Sequence, residues 1–263
     1  MLFTFAFVVL SARTDTWIHY SGGSMAETWL SNLFLILFAI PILFAPANST
    51  AAALVGQIKL SEPIPKQKAI RVSRDHDYCG QTLPNEGYLI GPARGLKNVI
   101  VYLEGFPDNP IPPTEVKTNF LENRHCLFDP HIMVMRWGER LVLRNNDPKL
   151  HILHAYLAKR TVFNIALPFQ YTTFATTYKI KSPGLLQVNC DVHAWMRAYV
   201  HVFGHPYYAL TDERGFFSIP DVPPGRYTLK AWHERGGLQR AEVGVPEEGE
   251  IEVHLEFSDN GEP

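Results

Sequence analysis

Cys190-Asp191-Val192-His193-Ala194-Trp195-Met196 sets a thiol, an imidazole and a thioether within one turn-sized stretch. A free Cys by itself is most often a buried core thiol. Three soft donors at this spacing read differently, because a loop at a strand end can aim all of them at one point, and they are the donors on which a mononuclear copper site draws. A trigonal site of that kind takes two imidazoles and one thiolate, with a long, weak axial Met. The segment therefore asks for a second histidine from elsewhere, and the fold must be one that brings distant strands to a common end.

The upstream supply is Asn145-Asn146-Asp147-Pro148-Lys149-Leu150-His151, which follows an alternating run over residues 139–144 and leads into Ile152, Leu153 and His154. His151 is the expected partner. His154 lies three residues further on, so on a strand it points to the opposite face and takes a structural or supporting role.

These two halves resemble the cupredoxins, the plastocyanin-type copper proteins, in which an Asn-Asn segment followed by a ligand His faces a Cys-x-x-His…Met loop. The resemblance implies a Greek-key β-sandwich, one copper ion held by His151, Cys190, His193 and Met196, and single-electron transfer with a redox partner protein. Met196 is the weakest member, since plastocyanins usually place more residues between His and Met than Ala194 and Trp195. A His-x-x-Met ending is also similar to the loop of the binuclear electron-entry centre of terminal oxidases. That centre needs two bridging cysteines, and the residue four before Cys190 is Leu186. Only a mononuclear site fits.

The chain has 3 cysteines, Cys79, Cys126 and Cys190. In an exported protein Cys79 and Cys126 can pair, contributing about 4 kcal/mol by the chain-entropy model, and leave Cys190 for metal. In a cytosolic protein all three would stay reduced. The N-terminus points to export: an apolar run over residues 30–47 ends in the small-residue stretch Ala47 to Ala53, a signal-peptide shape. Residues 1–53 are read as this signal, with Met25 as an alternative start, and the mature chain beginning at Leu54 in the periplasm or otherwise outside the cytoplasm. The run is shorter than a bilayer needs and contains Pro41, against a retained anchor. Membrane attachment follows only if the segment is uncleaved.

A net charge of −2 without a Lys/Arg block excludes nucleic acid as an expected partner. The 20 Pro and 18 Gly point to short strands and many turns. Strands are expected at 55–60, 69–72, 99–104, 132–135, 139–144, 151–155, 184–188 and 196–203. Pro107 to Pro113 must be a loop, because its prolines remove ladder donors.

Asp77-Tyr78-Cys79-Gly80 and Cys126-Leu127-Phe128-Asp129-Pro130-His131 narrow the resemblance to exported cupredoxin-like proteins joined to a carboxypeptidase-regulatory-like module. That likeness implies the Cys79–Cys126 pairing; His131 is read as structural. The tail, Thr211-Asp212-Glu213-Arg214-Gly215-Phe216-Phe217 followed by Pro224-Gly225-Arg226-Tyr227, is similar to the module's Thr-Asp-x-x-Gly-x-Phe…Pro-Gly-x-Tyr signature. Asp212 to Gly215 turns a hairpin, and Phe217, Ile219, Tyr227 and Leu229 alternate into a core. The expected fold is all-β: a cupredoxin-like sandwich at 54–204, a small Ig-like or transthyretin-like β module at 205–258 and a short tail at 259–263. His205 and His233 would approach the metal only if the module folds back over the Cys190 loop. The expected activity is electron transfer rather than catalysis, with a copper carrier or sensor, or a metal-free adhesion or scaffold protein, as alternatives.

Overall fold

A computed structural model describes residues 52–106, 113–176 and 180–258, which are almost entirely β. Residues 1–51, and with them nearly all of the expected signal segment, lie outside the described residues, as do 107–112 of the proline-rich loop. Among the described residues no helix is long and apolar enough to cross a membrane.

Two sandwiches are present. In the first, a five-stranded sheet ordered 160–167, 151–157, 184–190, 197–203, 132–136 faces a four-stranded sheet ordered 173–175, 140–145, 118–124, 127–129. Leu121, Phe128, Leu141 and Leu143 of one sheet pack in one core with Leu153, Phe163, Val188 and Val200 of the other. Each fully buried side chain of this size contributes roughly 1.5–3 kcal/mol. The eight expected strands all form, within a residue or three at their ends. Thr118–Arg124 was not among them, because its inward positions Leu121 and Asn123 alternate with polar residues and one of the two is itself polar.

The second sandwich packs a sheet ordered 208–210, 100–104, 225–233, 237–245 against one ordered 216–222, 52–60, 250–257. The pairing does not follow the expected division at residue 204. Ala52–Leu60 runs parallel to Glu250–Phe257, and Ile100–Glu104 lies between the strands Tyr208–Leu210 and Gly225–His233. An apolar run such as Val99 to Leu103 reveals burial but not which sheet receives it. The tail signature acquires its physical meaning here. Thr211 Oγ1 accepts from the Val99 amide at 2.9 Å and donates to the Leu96 carbonyl at 2.7 Å. Gly215, at φ +77°, approaches so closely that a Cβ there would meet the Ile58 carbonyl oxygen at 2.1 Å. Ala52, placed by the sequence in the cleaved segment, is fully buried and pairs with Val222. A cleavage that preserves this strand falls before Ala52.

Burial of neutral histidines gives the fold an acid-sensitive side. Burial pushes His233 down to about 4, helped by His131 and Arg235, and pushes His201 down to about 3, helped by His205. His233 Nδ1 accepts the Arg235 and Gly236 amides, which a proton would displace. A histidine depressed below its unfolded value of about 6.5 contributes stability that is present above that pH and lost as pH falls, by up to about 1.4 kcal/mol per pH unit. The thermal midpoint is therefore expected to drop between about pH 6.5 and 4. In His201→Phe, which keeps the stacking on Phe203, the drop is expected to be shallower, and an unchanged slope by circular dichroism would remove His201 as a cause.

Candidate metal centre

His151 opens the strand His151–Leu157, and Cys190 closes its neighbour Gly184–Cys190, so both side chains stand at one end of the first sandwich. The loop leading to His151 is built by Asn145. Its Oδ1 accepts the Asp147 amide at 3.0 Å, an Asx turn, while Nδ2 donates to the carbonyls of Lys149 and Leu167. The loop after Cys190 is a closed turn: the Met196 amide donates to the His193 carbonyl at 2.9 Å and the Cys190 amide to the Met196 carbonyl at 3.2 Å. This folds His193 back over Cys190.

Three donor atoms converge. Cys190 Sγ lies 3.8 Å from His151 Nδ1 and 3.7 Å from His193 Nδ1, and the two nitrogens are 3.1 Å apart. A transition-metal ion about 2.0–2.1 Å from nitrogen and about 2.3 Å from sulfur, with in-plane angles of about 100–120°, spaces nitrogens about 3.1–3.6 Å apart and nitrogen from sulfur about 3.3–3.8 Å. The donor set fits. His151 and His193 are fully buried and Cys190 is 3 % exposed.

The outward nitrogens are both taken. His151 Nε2 lies 3.0 Å from Asp147 Oδ2, and His193 Nε2 lies 3.0 Å from Asp75 Oδ2. A carboxylate at Nε2 fixes the proton there and turns the Nδ1 lone pair inward, the arrangement by which an outer partner orients a ligand histidine. Asp147 is itself held by the amides of His125 and Cys126 and by the Tyr78 hydroxyl. Burial opposes its ionisation, but the hydrogen bonds from His151, Cys126, Tyr78 and His125 together hold its carboxyl below the usual range. At Cys190, burial would raise the thiol, yet hydrogen bonds from His151, His193 and the backbone bring it down to about 6. A thiolate is the form that ligates metal.

Asp75 enters from outside the ligand strands. It precedes the single helical turn His76–Cys79, which the Cys79–Cys126 disulfide ties to the turn carrying the His125 and Cys126 amides. The disulfide and the single free cysteine thus divide the thiols as the cysteine count allowed for an exported chain.

The structure brings His151, Cys190 and His193 together. Met196 is 1 % exposed in the same core as Cys190, its backbone closing the loop. His154 points away, its ring nitrogens on Asp191 and Thr161. His131 bonds to Glu234. His205 packs on Phe106 and Phe203, and His233 stacks on Tyr88, so neither belongs to the donor cluster. Sequence reading assigned no role to Asp75 or Asp147. Asp147 carried a signal, four residues before His151 in a tight loop, whereas nothing near Asp75 points to His193, 118 residues away.

Residues 170–253, about a third of the chain, match the family described as Polysaccharide lyase family 4, domain II. This range runs through most of the tail, and the match is not to the regulatory module expected there. No curated protein matches the chain. Several solved structures are similar at low scores. Amicyanin from Paracoccus versutus is 14 % identical, covering 39 % of this chain and 97 % of that one, with a TM-score of 0.29. A purple cupredoxin from Nitrosopumilus maritimus is 16 % identical over 33 % of this chain and 99 % of that one, with a TM-score of 0.28. A Cu-containing nitrite reductase from Thermus scotoductus is 14 % identical over 36 % of this chain and 25 % of that one, at 0.28.

Proposed function

We propose that this chain is an exported copper protein in which His151, Cys190 and His193 hold one ion, with Met196 as a weak fourth partner, and that it passes single electrons between redox partner proteins. The observation that carries this reading is the convergence of Sγ and two Nδ1 atoms, each imidazole backed by its own carboxylate. Two nitrogens and a thiolate in a trigonal set are the ligands of an electron-transfer copper site. The ion, when bound, supplies a one-electron couple. The residues supply a buried set of donors whose orientation is fixed beforehand by Asp75, Asp147 and the Asn145 turn, so little has to move when the charge changes. No catalytic step is assigned to the site. Export is part of the proposal, because a disulfide persists in oxidising compartments. The second sandwich is proposed as a non-catalytic platform of the regulatory-module kind.

The test is to load purified protein beginning no later than Ala52 with Cu(II). One equivalent and an intense thiolate-to-copper band in the visible range are expected; absence of both would sink the proposal. Colourless protein that takes up and releases Cu(I) readily would point to carriage instead, which the near-complete burial of all three donors disfavours. Met196→Leu is expected to keep the band and shift its position or the midpoint potential. An unshifted spectrum and potential would exclude Met196 from the site.

A further inference from the structure

We propose that Asp75 is a positioning residue of the metal centre, delivered by a disulfide-anchored cap, which orients His193, closes the outward edge of its imidazole and lowers the site's reduction potential. This rests on the copper reading above. The cap is fixed independently of any metal. Cys79 bonds to Cys126, Lys149 reaches Asp75 at 3.5 Å and Asp77 at 2.6 Å, and Arg74 donates to the Val192 carbonyl at 3.2 Å. The Asp75 carbonyl accepts the amides of Tyr78 and Cys79, and Tyr78 reaches across to Asp147. Asp75 therefore arrives at His193 Nε2 already held, and His193 has no exposed surface.

Three consequences follow for the imidazole. Its proton stays on Nε2, its Nδ1 lone pair faces Cys190 and His151, and a negative charge sits behind it. Outer carboxylates raise the basicity of the ligand they touch. A fixed negative charge favours the more positive state of a bound ion over the less positive one, which lowers the potential. Asp77 serves as an internal comparison: it lies on the same cap, two residues on, and shares Lys149 but touches neither imidazole.

The experiment compares the wild-type chain with Asp75→Asn, Asp75→Ala and Asp77→Asn. Copper is titrated against a Cu(I) chelator, the midpoint potential is measured, and imidazole nitrogen resonances are recorded on metal-free protein. Asp75→Asn can still accept the Nε2 proton but lacks the charge, so it is expected to keep its affinity within a few-fold and show a raised potential. Asp75→Ala is expected to lose about 10- to 100-fold in affinity and the single His193 tautomer. Asp77→Asn, whose carboxylate is exposed and touches neither imidazole, should keep the wild-type affinity and tautomer and shift the potential by only a small fraction of the Asp75→Asn shift. Unchanged affinity, potential and tautomer in Asp75→Ala would overturn the proposal, as would equal shifts in Asp77→Asn, which would assign the effect to the cap's fold. Should the wild type bind no copper, the functional reading fails separately, and the tautomer on metal-free protein decides the positioning role.

Discussion

Replacing Cys190 by Ser is expected to abolish the visible thiolate-to-copper band outright and to weaken copper binding by at least about 100-fold, more than loss of an outer-sphere partner costs. The substitution is nearly isosteric and sits at a strand end, so the fold should persist. What changes is the charge available at the centre. Hydrogen bonds from both histidines and the backbone bring the thiol to about 6 against the opposing effect of burial, and this lowering favours the anionic sulfur that a metal takes. A serine hydroxyl in the same place stays protonated and is a hard donor where the two imidazoles call for a soft one. The same titration on His151→Ala should also lose the band, because a single imidazole leaves the trigonal set incomplete. A band that survives Cys190→Ser would show that the sulfur is not a ligand.

Breaking the Cys79–Cys126 bond by changing both residues to Ser carries the largest expected stability cost. The bridged residues are 47 apart in sequence, for which loop-closure entropy gives about 4 kcal/mol. For a domain of this size that corresponds to a fall of about 8–16 °C in the thermal midpoint. The damage should not stop at stability. One half of the bridge carries the cap with Asp75, and the other carries the amides of His125 and Cys126 that hold Asp147. Both carboxylates behind the ligand imidazoles thus lose part of their support together. Copper affinity is expected to fall in parallel with the midpoint, measured by calorimetry and chelator competition on the double variant. A loss below about 1 kcal/mol with unchanged affinity would mean that the surrounding hydrogen bonds suffice without the bridge.

Much of the centre was legible because its chemistry is local. Cys190 and His193 share one loop, and the Asn145 turn before His151 is written in side chains that build turns wherever they occur. The strands were legible where alternation or an apolar run was clean, as at Val99 to Leu103 and Met196 to Phe203. The partner of His193 was hidden, because an aspartate in Arg74-Asp75-His76 has no local feature separating it from a surface residue, and only the three-dimensional path of the cap brings it to the imidazole. The distribution of strands between the sandwiches was hidden for a related reason. Thr211 and Gly215 looked like parts of a self-contained hairpin, whereas their demanding contacts are with Leu96, Val99 and Ile58. A turn motif names its own backbone conformation but not the segment that will lie against it.

The strands Ala52–Leu60 and Ile100–Glu104 belong to a sandwich whose remaining strands are 208–210 and the four spanning 216–257. This imposes an order on biogenesis. As the chain emerges from N to C, the sandwich that carries the His151, Cys190 and His193 cluster has all of its strands by Phe203, whereas those two earlier strands have none of their sheet neighbours yet. Ile100–Glu104 waits unpaired until Tyr208–Leu210 and Gly225–His233 arrive, and Ala52–Leu60 is covered on both edges only when the last strand, Glu250–Phe257, arrives. A fragment ending at residue 204 would leave them permanently in that state, so it should aggregate or demand a chaperone. A fragment starting at residue 205 would lack the strands on which Thr211 and Gly215 close. The two sandwiches are interleaved in the gene rather than joined end to end: the cap that carries Asp75 and Cys79 lies between Ala52–Leu60 and Ile100–Glu104, so shuffling between relatives could not transfer the outer sandwich as one contiguous piece.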